Sequence, residues 1–290
     1  MTKPILRFAP SPNGLLHSGH ALSAITGFEM AQRLGGRFLV RIEDIDLTRV
    51  RPYYVQAIFE YLRWLGLTWE EPVLYQSQYL PNYKAAAGRL ADMGLVYPCF
   101  ATRADMMAAA NTPRSDPDGG LIYPGLWRGR SAQEVNERLA RGEPYALRLD
   151  MARAIALAQK KLRGAPLTFT EMSADGRTRT VACEPERWGD VVILRKETPS
   201  SYLIAVVVDD ARQGITHVTR GMDLFAATQV QRLIQVLLDL PEPLYHHHRL
   251  ISDEAGLKLS KSTGALSLAA LRENGHTPAD IRRLIGLPAA

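Results

Sequence analysis

The sequence predicts an α/β fold built on a doubly wound parallel sheet, and three observations carry that expectation. An apolar strand, Ile5–Phe8, runs through a stiff loop containing Pro10, Pro12 and Gly14 into a helical pattern at Gly19–Leu34. A second, mostly apolar strand, Arg37–Ile42, releases Glu43, Asp44 and Asp46 at its C-terminal end. The same grammar returns after residue 190, where Leu203–Val208 ends in Asp209-Asp210 and Ile215–Thr219 ends in Arg220-Gly221. Strands that are apolar throughout suit a parallel sheet covered on both faces. Charged residues at strand C-termini lie where ligands bind in such sheets.

Taken in order, Ala21, Ile25 and Phe28 recur at helical spacing in the first helix, and Gly35-Gly36 stops it. Val55–Leu65 is amphipathic, with Ile58, Leu62 and Leu65 on one face and Gly66 as its stop. Another helix covers Pro81 to Met93. Tyr97-Pro98-Cys99-Phe100 breaks the pattern, and the sequence then reads as irregular and polar to about Gly189; Thr112 to Gly129, rich in Pro, Gly and Asp, reads as loop. Residues 99–190 are thus expected to be an insertion between two halves of the sheet, 1–98 and 191–240. Leu224–Leu238 reads as a helix buried through Val230, Leu233, Ile234 and Leu237. His246 to His248 point in different directions and read as an ordinary strand edge rather than joint metal ligands. Residues 241–290 hold a glycine-flanked loop and one short helix, Thr277–Leu287.

Composition bounds the function. The chain has 290 residues, 46% of them hydrophobic, enough to bury a large core. No apolar run approaches the ~20 residues of a membrane span, and the start, Met1-Thr2-Lys3-Pro4, shows no signal-peptide pattern. Two cysteines, Cys99 and Cys183, exclude a disulfide framework and suit a cytoplasmic protein. Net charge is +5. Arg128 to Arg163 holds nine basic against four acidic residues, an excess equal to that of the whole chain. Such a stretch suits a phosphate backbone, or is a solvated helix face.

The loop after the first strand carries His17-Ser18-Gly19-His20 and neither familiar glycine-rich phosphate fingerprint. Its histidines, three apart on a first helical turn, share a face, and Gly19 lets a flat group approach the backbone. Alone, these four residues fit a loop histidine and a capping histidine with no ligand as well as they fit a phosphate site. Near the other end stands Lys258-Leu259-Ser260-Lys261-Ser262 between Gly256 and Gly264. An H-x-G-H followed by a K-[ML]-S-K-S resembles the class I aminoacyl-tRNA synthetases. Arg7-Phe8-Ala9-Pro10-Ser11-Pro12-Asn13-Gly14, Arg41-Ile42-Glu43-Asp44-Ile45-Asp46, Val207-Val208-Asp209-Asp210 and Thr219-Arg220-Gly221-Met222-Asp223-Leu224 resemble the glutamyl-tRNA synthetase branch. The likeness runs from about Ile5 to Leu268.

That resemblance implies a Rossmann-like catalytic domain split by an inserted acceptor-binding subdomain, with a short C-terminal helical region contacting an RNA stem. It implies ATP, entering with Mg2+, and L-glutamate as substrates, joined as glutamyl-adenylate. His17, His20, Lys258 and Lys261 are then the catalytic candidates, with Lys261 stabilising the leaving pyrophosphate. ATP would meet His17, Gly19, His20, Asp223, Lys258, Ser260 and Lys261. Glutamate would meet Arg7, Phe8, Ala9, Pro10, Ser11, Glu43, Tyr202 and Arg220. The arginines suit a carboxylate through a bidentate fork; the other reading of Arg220, a surface ion pair with Asp223, is disfavoured by its place at a strand end followed by glycine.

Near relatives carry a zinc site of the form Cys-x-Cys followed by Tyr-x-x-x-Cys. Here Cys99 and Tyr123 match, while Ala101 and Trp127 stand at the other two positions. Zinc needs four ligands, so none is expected, and packing of Phe100, Tyr123 and Trp127 is expected in its place. Twenty-eight residues follow Ser262, too few for an anticodon-binding domain. The members of the family with this truncation place glutamate on the queuosine base in the anticodon loop of tRNA(Asp), so that RNA is the expected partner, with the basic stretch on its phosphates and the protein a monomer. Two other readings are a compact enzyme charging the acceptor end of a tRNA and a non-catalytic RNA-binding protein.

Overall fold

The computed structural model describes residues 3–109, 114–251 and 267–288. Among these residues the larger sheet has seven strands. The first half supplies β1 (Ile5–Phe8), helix α1 (Ser18–Arg33), β2 (Arg37–Ile42), α2 (Pro52–Trp64), β3 (Glu70–Tyr75) and α3 (Leu80–Asp92). A smaller antiparallel sheet joins β4 (Val96–Cys99), β5 (Ala146–Leu149) and β8 (Val192–Leu194). Between these lie α4 (Arg103–Ala109), α5 (Ala132–Ala140), α6 (Met151–Lys161) and the hairpin β6 (Thr168–Met172) and β7 (Thr178–Ala182). Then come α7 (Tyr202–Arg212), β9 (His217–Gly221), α8 (Phe225–Leu237), β10 (Leu244–His248), α9 (Leu268–Glu273) and α10 (Pro278–Leu284).

Strands β1, β2, β3, β9, β10 and β6 run parallel; only β7, paired with β6, is antiparallel. From β1 the chain winds outward through β2 and β3, then returns to place β9 on the other side of β1. The strand order reverses between β1 and β9, and a cleft opens at such a point beyond the C-terminal strand ends. Helix α1 lies against β1, β2 and β9. Gly27 permits that approach, since a Cβ there would fall 2.8 Å from Thr219 Oγ1. On the other face, α3, α6, α7 and α8 share a second core containing Tyr83, Ile204, Val207, Val230 and Ile234.

Three expectations change. Leu203–Val208 is helix, not strand. A short apolar run reads alike as a buried strand or a buried helix. Here Ile204, Val207 and the intervening residues are all covered, and Gly214 (φ 64°) ends the turn that follows. Asp209 and Asp210 consequently sit on the helix and not at a strand end. The stretch 99–190 is regular: Ser131 and Asp150 cap α5 and α6, each accepting a backbone N–H. Asp175-Gly176 lies between the β-branched runs of β6 and β7, a hairpin signal. Those two strands extend the larger sheet, so the stretch serves both sheets. Finally, the triple histidine lies on β10, an interior strand between β9 and β6 rather than an edge. The helix expected at Thr277–Leu287 is α10, with Thr277 as its cap and α9 before it.

Candidate active site

A cavity of about 690 Å³ opens at the C-terminal ends of β1, β2, β9 and β10. Arg7, Phe8, Ala9, Pro10 and Ser11 reach it from β1 and the loop beyond; His17, Gly19 and His20 from the start of α1. Glu43 follows β2, Tyr202 opens α7, and Arg220 and Asp223 come from the end of β9 and the turn after it. Lys258, Ser260 and Lys261 fall outside the described residues. Asn13, Ser23, Thr219, His248 and Arg249 also line the cavity; Asn13 and Thr219 lie in the quoted motifs, but none of the five was a site candidate.

His17 and His20 cap α1 reciprocally. His17 Nδ1 accepts the Gly19 N–H at 3.1 Å, and His20 Nδ1 accepts the His17 N–H at 3.2 Å. With Nδ1 occupied as an acceptor, the proton of each neutral ring sits on Nε2, which becomes a donor. The rings lie 3.9 Å apart, centroid to centroid. Capping and ligand binding are therefore compatible: the cap fixes the tautomer that can donate to an anion at the helix start.

Beneath the cavity lies a buried charge network. Arg41 is fully buried; its Nη1 donates to Asp210 Oδ1 at 2.7 Å and to Gln213 Oε1 at 3.0 Å, and its Nη2 to Glu43 Oε1 at 3.1 Å. Arg7 forks onto Asp210, Nε to Oδ1 at 3.0 Å and Nη2 to Oδ2 at 3.2 Å. Burial raises the Asp210 pKa, but Arg7 and Arg41 outweigh it and hold this carboxyl below its ordinary value. For Glu43 the balance reverses: burial outweighs Arg41 and Arg7, and its pKa is raised. Asp209, bound by Tyr83 Oη at 2.7 Å and Gln76 Nε2 at 2.8 Å, is also raised, first by burial. Nothing in the motifs marked Arg41 or the acids of α7 as partners; a lone arginine inside an apolar strand was the available signal, because it needs buried acids.

Arg220 differs. It is buried, yet among the described residues no carboxylate stands within ion-pair distance. Its Nη1 donates to Gln231 Oε1 at 2.8 Å and reaches Tyr202 Oη at 3.5 Å; Nη2 donates to Thr228 Oγ1 and Nε to His247. The sequence-level ion pair with Asp223 is not among these. A buried cation without a compensating anion is costly, so this position favours an incoming carboxylate.

At the zinc-like positions, Cys99, Phe100, Tyr123 and Trp127 form one buried cluster, with Ala101 against it. The Trp127 backbone N–H donates to Tyr123 Oη at 2.7 Å, and Phe100 meets the indole edge-on at 4.8 Å. Arg138 lies over Trp127 (4.6 Å) and Arg148 over Tyr123 (4.0 Å). One thiol and one phenol, with an indole packed between neighbours, do not make a zinc donor set. Other cations of the basic stretch are committed as well. Arg128 pairs with Asp190, Arg141 with Glu143, and Lys161 with Asp239. Lys160 and Arg163 are exposed, with no ion-pair partner among the described residues. A smaller cavity of about 260 Å³ beside this region shares Tyr202 with the larger one and is lined by Tyr123, Arg148, Asp190 and Ser201 among others.

Comparison with known proteins gives concordant matches. Residues 5–288 match the family model for tRNA synthetases class I (E and Q), catalytic domain. The chain is 46% identical to the Glutamyl-Q tRNA(Asp) synthetase of Rhodobacter capsulatus, over 98% of this chain and 100% of that protein. It is 35% identical to the glutamate–tRNA ligase of Nitrobacter winogradskyi over 98% of this chain, spanning 56% of that protein. The crystal structure of a glutamate tRNA ligase from Elizabethkingia meningosepticum, in complex with its amino acid, superposes with a TM-score of 0.76. At 23% identity that likeness concerns the fold, and this chain covers 60% of that one. Among the described residues no helix is long and apolar enough to cross a membrane.

Proposed function

The chain belongs to the class I tRNA synthetase family (E and Q, catalytic domain), and we infer that its reaction is the ATP-dependent activation of L-glutamate followed by transfer to the queuosine base in the anticodon loop of tRNA(Asp). Arg220 carries the activation half of this reading: a buried guanidinium with only uncharged partners, facing a cavity that also holds Glu43 and two donor histidines. In activation, a carboxylate oxygen of glutamate attacks the α-phosphorus of ATP. The α–β phosphoanhydride bond breaks, and pyrophosphate leaves as its magnesium salt. No side chain need act as nucleophile; positioning and charge stabilisation suffice.

Each residue then has a task. The reacting carboxylate must stay nucleophilic, so Arg220 and Tyr202 hold the side-chain carboxylate instead. Glu43 meets the ammonium group, and Arg7, neutralised by Asp210, shapes the pocket with Phe8, Ala9, Pro10 and Ser11. His17 and His20 donate through Nε2 to the phosphates beside Gly19, and Asp223 faces the nucleotide. Lys258, Ser260 and Lys261 complete the ATP site on the evidence of their motif. The acceptor hydroxyl then attacks the acyl carbon and AMP leaves.

The choice of acceptor is supported by the Rhodobacter capsulatus relative, matched at 46% identity along its whole length. The smaller cavity adjoining Tyr202 offers an acceptor nucleoside a route to the activated carboxyl group, and Lys160 and Arg163 are cations available to RNA phosphates. We further propose that the protein works as a monomer without zinc. Glutamate-dependent ATP–pyrophosphate exchange in the absence of RNA tests the activation half. Exchange with glutamate and not glutamine is expected; no exchange with either amino acid would overturn it.

A further inference from the structure

The Nε edge of Arg220 is anchored by a ring, not by an acid. Arg220 Nε donates to His247 Nε2 at 3.2 Å. A guanidinium N–H can only donate, so Nε2 must accept, and the single proton of the imidazole sits on Nδ1. Nδ1 lies 2.8 Å from Glu171 Oε2, while the His247 backbone N–H binds Glu171 Oε1 at 3.0 Å. Thr228 Oγ1 stands 3.0 Å from Nε2. The ring stacks near Tyr245 and meets Phe225 edge-on at 5.0 Å. Its tautomer and its orientation are thus fixed from both sides.

We propose that His247 is the positioning residue for Arg220, using a neutral, Nδ1-protonated imidazole to anchor the guanidinium while leaving its charge for the carboxylate of the substrate. This deepens the amino-acid-activation reading and rests on it. Arg7 shows the alternative in the same cavity: anchored by Asp210, it is held equally firmly but its charge is met. At Arg220 the acid is one imidazole further away. Glu171 on β6 fixes the ring on β10, and the ring fixes the guanidinium on β9, three neighbouring strands in the sheet.

The arrangement has a pH limit. Protonation of Nε2 would remove the acceptor and set two cations against each other. Facing the ring are Glu171 from β6, Arg220 from β9 and Tyr245 on its own strand, with His246 next to it on the opposite face of that strand; α8 adds the uncharged Thr228 and Phe225. Burial, with Arg220 and His246 behind it, keeps this imidazole below its ordinary pKa despite Glu171. The acceptor therefore persists through neutral pH and is lost only on acidification below the usual histidine range.

The test compares wild type, His247→Asn and His247→Gln in glutamate-dependent ATP–pyrophosphate exchange between about pH 5 and 8. Asparagine keeps a donor for Glu171 and leaves nothing opposite Arg220 Nε; glutamine reaches the Nε2 position with a carbonyl oxygen. His247→Asn should raise the glutamate KM at least about tenfold with kcat and the ATP KM changed less than about threefold. His247→Gln should restore the KM to within about threefold of wild type and abolish its acid-side rise. An unchanged glutamate KM in His247→Asn, an equal rise for ATP, or no rescue by glutamine would overturn the proposal. Nitrogen-15 spectra of histidine-labelled protein give a readout independent of activity: His247 should be Nδ1-protonated at neutral pH, and an Nε2-protonated ring would refute it. Absence of exchange in wild type would instead overturn the functional reading, and the spectra would still decide the tautomer.

Discussion

Arg7 and Arg220 face the same cavity, but Arg7 is bidentate to Asp210 at 3.0 and 3.2 Å while Arg220 is bound through His247, Gln231, Thr228 and Tyr202, none of them an acid. The two arginines therefore differ in what a ligand can gain from them. Replacing Arg220 by lysine removes the fork and should raise the glutamate KM about thirtyfold or more, about 2 kcal/mol. The KM for ATP should change little. Steady-state exchange kinetics measure both constants, and equal losses for the two substrates would contradict a dedicated carboxylate site.

Asp210 joins two buried guanidiniums, so removing its charge leaves Arg7 without its acid and Arg41 with Glu43 alone. Asp210→Asn should lower unfolding free energy by about 3–5 kcal/mol, the cost of breaking a buried pair. Denaturant melts check this, and a loss under about 1 kcal/mol would show that the network relaxes around the change.

Glu43 predicts the opposite trade. Its pKa is raised by burial, so its ionised form is less favourable in the folded protein than in the unfolded chain. The stability linked to its protonation is present in full at low pH and is lost as pH rises through the raised value. Glu43→Gln should accordingly melt at the same temperature or higher at neutral pH, while glutamate activation falls at least about tenfold through loss of the ammonium partner. Asp210, with a lowered pKa, titrates in the other sense: its contribution holds above the ordinary carboxylate range and disappears as pH falls through its folded value. Thermal melts against pH for the Asp210→Asn and Glu43→Gln proteins should show opposite slopes relative to wild type in the acid range.

Much of the site was readable because chemistry and chain order coincide there. The turn from Arg7 to His20 joins one strand to one helix, so its residues converge whatever the rest of the fold does. Glu43 follows β2 directly for the same reason. The run Leu203–Val208 was not decidable, since six apolar residues have no period, and the misassigned strand concealed that Asp210 faces Arg7 and Arg41 across more than 160 positions of chain. His247 was hidden by its neighbours: three consecutive histidines give no hint that the middle one points inward at Arg220. Strands β6 and β7 carried their own signal in the Asp175-Gly176 turn, overshadowed by the polar residues around them.

The cluster of Phe100, Tyr123 and Trp127 gives a stability prediction. A zinc-selective chelator, with magnesium kept in excess, should leave both the melting temperature and pyrophosphate exchange unchanged, and elemental analysis of untagged protein purified without added metal should find no stoichiometric zinc. Trp127→Ala should destabilise by about 3–5 kcal/mol, as for other buried aromatic truncations. Near-stoichiometric zinc would contradict this account of the insertion.

One assay decides the identity of the acceptor. Purified protein, ATP, magnesium and labelled glutamate are incubated with tRNA(Asp) bearing queuosine, with the same tRNA lacking it, and with tRNA(Glu). Label is expected on the queuosine-bearing tRNA(Asp) alone. Label on tRNA(Glu), or on tRNA(Asp) regardless of queuosine, would contradict it.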